Sequence, residues 1–317
     1  MSNLLFARLL MVMSLAFHII FAAVGIGMPL MMAVAEGLYL RTRNPTYLEL
    51  SKRWARGVAV LFAVGAVSGT ALSFELGLLW PGFMDFAGSV IGAAFSLEGF
   101  AFFTEAIFLG IYLYGWDRLP PLLHWLAGVI IALSGAISGV LVMTVNSWMN
   151  APTGFEAVGG RVVDVQPVAA MLNPATPHEV VHMILATYVA TGFAVAAIHA
   201  FFLLRRQNVE FHRRALSIAL LVACLAIPLQ VLSGDWSAQV VARLQPAKLA
   251  AMEAHYRTQP AAPLTIGGIP DDDAMTTRLG IRLPYGLSFL AFRDPQATVT
   301  GLDQFPRDEW PNTFLVH

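Results

Sequence analysis

Six long apolar segments, joined by polar ones, fill most of the chain between residues 9 and 234. A membrane-spanning helix needs about 20 mainly apolar residues, and these segments match that length. A membrane barrel would show alternating apolar and polar positions, so the segments are predicted to be helices. The predicted spans are Leu9–Ala35, Gly57–Phe74, Phe86–Gly115, Leu122–Met149, Val180–Leu204 and Ala215–Gly234.

The chain after the sixth predicted span has a different pattern. Residues 235–311 mix polar and apolar positions and include an acidic run at 271–273, which predicts a long loop. The distribution of basic residues, described next, predicts that this loop is extracytoplasmic. The apolar residues within 312–317 indicate the start of a truncated seventh span. The expected fold is therefore an all-α, polytopic membrane bundle of about six transmembrane helices in residues 1–234, followed by that loop.

Basic residues are concentrated in the loops after the first, third and fifth spans. Those loops hold ten Lys and Arg residues, whereas the loops after the second and fourth spans hold only Arg161. Because basic loops stay on the cytoplasmic side of a membrane, we expect the N-terminus outside.

The composition agrees with a membrane protein. Only 12% of the residues are charged and 57% are apolar, with a mean hydropathy of +0.66. Soluble domains carry about 25% charged residues, so an ordinary cytosolic enzyme and a disordered chain are excluded. The net charge of −1 argues against a basic nucleic-acid-binding surface. The one cysteine, Cys224, excludes a disulfide scaffold and a thiolate metal cluster.

Two carboxylates interrupt the third span. Glu98 and Glu105 are seven residues apart, or two helical turns, so they share one face. Glu98 is expected roughly 18 Å from the outer end of the span, and Asp117 follows at the cytoplasmic end. Such a ladder of acids can relay protons or meet a cation, whereas the alternative is hydrogen bonding between helices by neutral carboxyl groups.

Histidines lie inside or beside several spans. His18 is within the first span, where imidazole can hydrogen-bond another helix or coordinate a haem iron. His178 and His182 share one face of the fifth span and have a spacing that can bind a metal, although His178 is better explained as a solvated residue at a helix start. His124 and His199 are expected at the membrane interface.

Five motifs occur in order along the predicted spans and the outer segment. They are LEGFAFFTE at 97–105, GWDRL at 115–119, NSWM at 146–149, VH at 181–182 and QPAKLAAMEA at 245–254. In their order and placement these motifs resemble subunit I of the cytochrome bd-type quinol oxidases, and the resemblance covers essentially the whole chain.

The resemblance implies three haems: a low-spin haem b, a high-spin haem b, and a haem d or a second haem b in its place. It implies that His182 ligates the low-spin haem iron and that His18 ligates one of the two high-spin haem irons. It also implies that Glu98 contacts the haem pair. The implied catalytic residues are Glu98, Glu105, Asp117 and Asn146, and the implied quinol-binding residues are Lys248 and Glu253.

The resemblance further implies an electrogenic reaction, in which quinol is oxidised on the outer side and oxygen is reduced to water with cytoplasmic protons. The implied partners are subunit II, quinol, oxygen and membrane lipid, without nucleic acid, in the bacterial cytoplasmic (inner) membrane. Since members of the family continue with further spans, the resemblance implies a C-terminally truncated chain. The short outer segment points to the cyanide-insensitive branch.

Two other functions stay open on the residues alone. A membrane proton channel or transporter using Glu98 and Glu105 would be favoured by internal repeats with broken helices, and the sequence shows no such repeat. An inactive truncated fragment without haem is the other alternative.

Overall fold

The computed structural model describes residues 3–317, and within them six helices are long and apolar enough to cross a membrane. These are α1 (Asn3–Thr42), α2 (Pro45–Leu79), α3 (Pro81–Tyr114), α4 (Pro121–Asn150), α6 (Thr176–Leu204) and α7 (Val209–Leu244), with the short helix α5 (Pro167–Met171) before α6. The predicted all-α membrane bundle with six transmembrane helices is confirmed.

The helices extend beyond the predicted spans because polar residues at their ends lower the hydropathy but still allow a helix. The clearest case is α7, which continues past Gly234 to Leu244. There, Gln239 Nε2 donates a hydrogen bond of 3.2 Å to Asp235 Oδ2 one turn earlier, which supports the extension. A hydropathy pattern reports the membrane thickness, whereas the helix end depends on such local contacts.

Prolines mark where several of these helices begin. Pro45, Pro81 and Pro121 are the first residues of α2, α3 and α4. A proline in the first helical turn loses no hydrogen bond, since the first N–H groups have no partner within the helix. Asn44 completes the start of α2, because its Oδ1 accepts from the N–H of Thr46 at 2.9 Å.

The chain divides into two compact units after Gln230. In the first unit, α1 packs against α2, α4 and α6, and α3 packs against α4. Gly27 of α1 lies so close to α6 that a Cβ at this position would be 2.6 Å from Thr191. Small residues of this kind let helix backbones approach in lipid, where no hydrophobic effect drives helices together.

Substitution of Gly192 tests this close packing. A Cβ at Gly192 would lie 2.8 Å from the Ala223 Cβ and 3.0 Å from the Ala219 carbonyl oxygen of α7. We expect Gly192→Ala to cost about 1–3 kcal/mol through overpacking and to lower the thermal midpoint of the detergent-solubilised protein. Gly57→Ala is the control, since a Cβ there would meet nothing within 4 Å. An equal effect of both changes would contradict the packing argument.

A hairpin of β1 (Glu156–Val158) and β2 (Arg161–Val163) connects α4 to α5. Gly159 and Gly160 form its turn with φ angles of 59° and 78°, a conformation that favours glycine. Phe155 and Val162, from this segment, pack on a core of α3 and α4 residues that includes Trp148. The hairpin thereby covers one end of the α3–α4 pair.

The second unit begins at Val231 and holds short elements around its own cores. Its elements after α7 are α8 (Pro246–Met252), β3 (Gln259–Pro260), β4 (Leu264–Ile266), β5 (Ile269–Asp271), β6 (Thr276–Arg278), β7 (Ile281–Leu283), α9 (Gly286–Phe292), β8 (Thr298–Val299), two 3-10 turns (Leu302–Gln304 and Arg307–Glu309) and α10 (Thr313–Val316). Antiparallel pairs form between β3 and β8, β4 and β7, and β5 and β6.

Side-chain hydrogen bonds tie distant segments of the second unit together. Asp272 Oδ1 accepts from the hydroxyl groups of Tyr256 at 2.8 Å and Thr313 at 2.6 Å. Burial and the neighbouring Asp272 carboxylate raise the pKa of Tyr256 to about 12, so its hydroxyl stays protonated as a donor. Three stretches of chain, near residues 256, 272 and 313, are thus held at one point.

Candidate functional site

The two carboxylates of α3 both face α4. Ser138 of α4 donates a hydrogen bond of 2.9 Å to Glu98 Oε1. Glu105, 5% exposed, lies against Gly135, where an added Cβ would be 3.2 Å from Glu105 Oε2. The glycine therefore leaves the space that the buried carboxyl group occupies. The α3–α4 interface thus brings the two acids onto one line, as the seven-residue spacing predicts.

The other two implied catalytic residues, Asp117 and Asn146, lie on opposite sides of Glu98 and Glu105 along the helices. Asp117 is exposed in the loop between α3 and α4. Asn146 lies near the far end of α4, where its Oδ1 is 3.3 Å from Asn150 Nδ2. Because α3 and α4 run antiparallel from that loop, Glu105 and then Glu98 come between Asp117 and Asn146. The structure therefore does not bring Asp117 and Asn146 together.

The loops after α1, α3 and α6 lie at one end of the bundle, called here the basic end. Arg214, at the start of α7, donates a 3.0 Å hydrogen bond to the Tyr47 hydroxyl of α2. Lys52 Nζ of α2 lies 5.1 Å from the ring of Trp116 in the α3–α4 loop. Asp117 belongs to this end, which also carries most of the basic residues between spans.

His18 has one ring nitrogen fixed by a neighbouring helix. Its Nδ1 is 3.0 Å from Ser68 Oγ of α2, and the Ser68 hydroxyl itself donates toward the carbonyl groups of Val64 and Gly65. The Ser68 oxygen is therefore the acceptor, and Nδ1 carries the proton. A neutral imidazole then has its lone pair on Nε2.

His182 lies on α6, half-buried and facing α7. The amide nitrogen of Gln230 is 3.0 Å from His182 Nε2 and 3.3 Å from Nδ1. An amide N–H donates, so the ring nitrogen it meets is an unprotonated acceptor. A metal ion would bind this nitrogen through its lone pair.

The donor chemistry of both histidines fits a haem iron. Haem iron binds the unprotonated nitrogen of a neutral imidazole, and a hydrogen bond to the other nitrogen commonly fixes the ring. His18 has this arrangement with Ser68, and an added Cβ on Gly69 would lie 3.0 Å from His18 Cε1, so glycine leaves room for the ring. Within residues 3–317, no three His, Cys, Asp or Glu side chains form a group that could hold a metal ion by themselves. A haem iron, unlike a metal ion held by side chains alone, could take a single histidine from this part of the chain.

The structure corrects the expectation for His178 and gives partners to the two histidines expected at the membrane interface. His178 is 3% exposed and is not solvated, because the helix start that carries it is covered by surrounding residues. His124, 2% exposed, pairs with Glu36, with 2.7 Å between Nδ1 and Glu36 Oε1. His199 is 7% exposed and lies 2.8 Å from His212, Nδ1 to Nδ1.

Sequence reasoning missed the polar partners on neighbouring helices. Glu36 lies one residue beyond the predicted end of the first span, where the apolar pattern predicts a loop, yet it is only 3% exposed. Glu75 accepts a 2.6 Å hydrogen bond from Ser14 across the α1–α2 interface. The available signal was the presence of isolated Ser and Glu residues at the margins of apolar segments.

Lys248 and Glu253 belong to the second unit. Lys248 lies in the middle of α8, and Glu253 is the residue that follows this helix. Burial raises the pKa of the Glu253 carboxyl group above its ordinary value, and the nearby His317 offsets part of that rise. The two side chains come from adjacent turns of one short segment.

Comparisons with known proteins identify the family. The family model for cytochrome bd terminal oxidase subunit I matches residues 6–317. The chain is 40% identical to a putative cytochrome bd menaquinol oxidase subunit I of Bacillus subtilis (strain 168), covering 99% of this chain and 72% of that protein. It is 33% identical to cytochrome bd ubiquinol oxidase subunit 1 of the same organism, covering 95% of this chain and 65% of that protein.

A solved structure agrees with these relatives. The bd oxidase from Geobacillus thermodenitrificans superposes with a TM-score of 0.95 at 40% identity, covering 99% of this chain and 73% of the solved chain. The channel or transporter alternative is therefore not favoured. The chain belongs to the cytochrome bd terminal oxidase subunit I family, the haem-dependent membrane subunit of quinol:oxygen oxidoreductases.

Proposed function

We propose that this chain binds low-spin haem b through His182 and a high-spin haem through His18, and that it takes up protons for oxygen reduction through Glu105 and Glu98. The haems, when bound, supply the electron transfer and oxygen chemistry. The third haem of the proposal is a haem d or a second haem b. The oxidase would include subunit II and lie in the cytoplasmic membrane of a bacterium.

The observation that best supports this proposal is the hydrogen bonding of the His18 ring. Its Nδ1 proton is committed to Ser68, which leaves the Nε2 lone pair facing away from that contact, within an apolar helix. An imidazole inside a membrane span has a free-energy cost and is therefore a candidate for a functional group. A haem ligand is the function that matches both the lone pair and the family.

The positions of the acids support proton supply from the basic end. Asp117 is exposed there, and Glu105 and Glu98 follow along the α3–α4 interface. Basic loops stay in the cytoplasm, so the basic end is proposed to face the cytoplasm, with the N-terminus outside. Protons would then enter from the cytoplasm, and quinol would release its protons outside.

Reconstituted vesicles test this arrangement. The assembled oxidase, given a quinol, is expected to consume oxygen, generate a membrane potential and take protons from the side that carries the basic end. Arg206→Cys in a Cys224→Ser background places a single cysteine in the loop between α6 and α7. Labelling of this cysteine by a membrane-impermeant thiol reagent determines on which side of the vesicle membrane the basic end lies. Proton uptake from the opposite side would overturn the proposed orientation.

Glu253 gives the proposed quinol site a specific pH dependence. A carboxylate that accepts a quinol proton must be ionised, and burial holds the pKa of Glu253 above the ordinary value of about 4.3. As the pH falls through that raised pKa, the carboxyl group becomes protonated and kcat/KM for quinol is expected to fall. Glu253→Gln should lower kcat/KM and remove this acidic limb.

The control for that profile is Glu309→Gln, because Glu309 is an exposed acid in the same unit. It should keep the acidic limb unchanged. A Glu253→Gln protein with the normal pH profile would exclude Glu253 as the acceptor of the quinol proton.

A further inference from the structure

A second group of buried polar side chains lies between Glu105 and the basic end. This Glu36 cluster comprises Glu36 of α1, Ser51 of α2, Tyr112 of α3 and His124 of α4, with exposures of 3%, 0%, 0% and 2%. Four helices therefore converge on polar groups where apolar packing would cost less. The His124 ring lies 4.0 Å from the Trp116 ring and is tilted by 38° to it, and Lys52 Nζ lies over the same tryptophan. The cluster is therefore one aromatic ring away from a charge at the basic end.

The hydrogen bonds of His124 fix the proton content of its pair with Glu36. His124 Nε2 is 2.9 Å from the Tyr112 carbonyl oxygen, which only accepts, so Nε2 carries a proton. The 2.7 Å contact between Nδ1 and Glu36 Oε1 then contains one proton, on the imidazole or on the carboxyl group. In either form the pair is neutral overall and holds a transferable proton.

Two oxygens of the cluster lack a partner among residues 3–317. These are Glu36 Oε2 and the Tyr112 hydroxyl oxygen, both buried. The Tyr112 hydroxyl faces Glu36 and Ser51 but makes no hydrogen bond of normal geometry with either. Buried polar atoms are nearly always satisfied, and a water with two to four polar partners is the usual means.

Tyr112 also continues the line of the two acids. It follows Glu105 by seven residues on α3, so the two side chains share one face of the helix with about 10 Å between them along its axis. The facing helix repeats the spacing: Gly128 lies against the Tyr112 ring, where a Cβ would be 2.9 Å away, and Gly135 lies against Glu105. Glycines of α4 thus accommodate both polar side chains.

We propose that Glu36, Tyr112 and a water held between them form a proton branch from the basic end to Glu105. A proton reaching Glu36 Oε2 passes to the water. The water gives a proton to the Tyr112 oxygen, and Tyr112 releases its own hydroxyl proton to further ordered water along the shared face of α3, which delivers a proton to Glu105. One proton advances, and each group regains its starting form. His124 is a positioning residue that orients Glu36. The inference rests on the proposed role of Glu105 as proton acceptor.

Tyr112→Phe in the assembled oxidase tests the branch, because it removes one oxygen and keeps the ring. Proton uptake in a single turnover is expected to slow by about tenfold. This is less than the factor of about 10²–10⁴ attributed to a positioned proton-transfer group, because protons can still reach Glu105 from the side of Asp117. The solvent deuterium isotope effect on that phase should increase. Tyr114→Phe, two residues away and 76% exposed, should leave the rate unchanged.

A second readout is independent of turnover. A density map that resolves ordered water should show one within about 3.2 Å of both Tyr112 Oη and Glu36 Oε2, and Tyr112→Phe should lose it. Should Tyr112→Phe fail to assemble, Glu36→Gln offers the same kinetic test with nearly the same side-chain size.

The outcomes separate this inference from the proposed function. Slowing by Glu105→Gln together with a normal rate in Tyr112→Phe would overturn the branch alone. A normal rate in Glu105→Gln would overturn the proposed proton route and the branch with it. A water-free cluster in the wild-type map, or equal slowing in Tyr114→Phe, would also overturn the branch.

Discussion

His182→Ala is expected to abolish the low-spin haem b signal of the assembled oxidase. The His182 imidazole would supply a nitrogen ligand to the low-spin haem iron, and alanine offers no donor atom. Because His182→Ala would remove a whole cofactor, we expect quinol oxidation to be lost as well. The measurement is the reduced-minus-oxidised visible spectrum of the purified variant, normalised to protein.

His18→Ala is the matched control for the low-spin signal. It removes a histidine from a different helix and is expected to spare the low-spin haem while reducing a high-spin signal. The side chain that it removes contacts Ser68 and lies against Gly69 of α2. An equal loss of all haem in both variants would indicate misfolding and would not support the assignment of His182.

Glu105→Gln is expected to slow turnover on the order of 100-fold with little change in haem content. Glutamine fills the same space beside Gly135 but cannot carry a proton, so the change removes the chemistry and keeps the packing. Oxygen consumption and the haem spectrum of one preparation are the measurements.

Glu49→Gln provides the control for an acid that is not on the route. Glu49 is at the basic end, exposed, and paired with Arg53. Surface pairs of this kind contribute little to stability, so turnover should stay at the wild-type value. Normal turnover in Glu105→Gln would remove Glu105 from the proton route.

The six spans were predictable because each carries enough consecutive apolar residues to cross a membrane. The shared face of Glu98 and Glu105 was also predictable, since a seven-residue spacing brings side chains to the same side of any helix. The partner helix was not predictable: Ser138 and Gly135 are ordinary residues of an apolar segment until α4 packs on α3.

Buried pairs from distant parts of the chain were missed for the same reason. Glu36 and His124 are separated by 88 positions, and each, taken alone, lies near the end of a hydrophobic run. The short strands of the second unit also escaped prediction. They are two or three residues long, too short for an alternating pattern to be recognised.

The most direct test of the central claim is a visible spectrum of the detergent-solubilised oxidase, recorded as isolated, after addition of quinol, and after readmission of oxygen. If this chain carries haem and oxidises quinol, bands of reduced b-type haem appear with quinol and disappear with oxygen, and any d-type band defines the third haem. A well-folded complex without haem bands, or with bands that quinol does not change, would contradict the account.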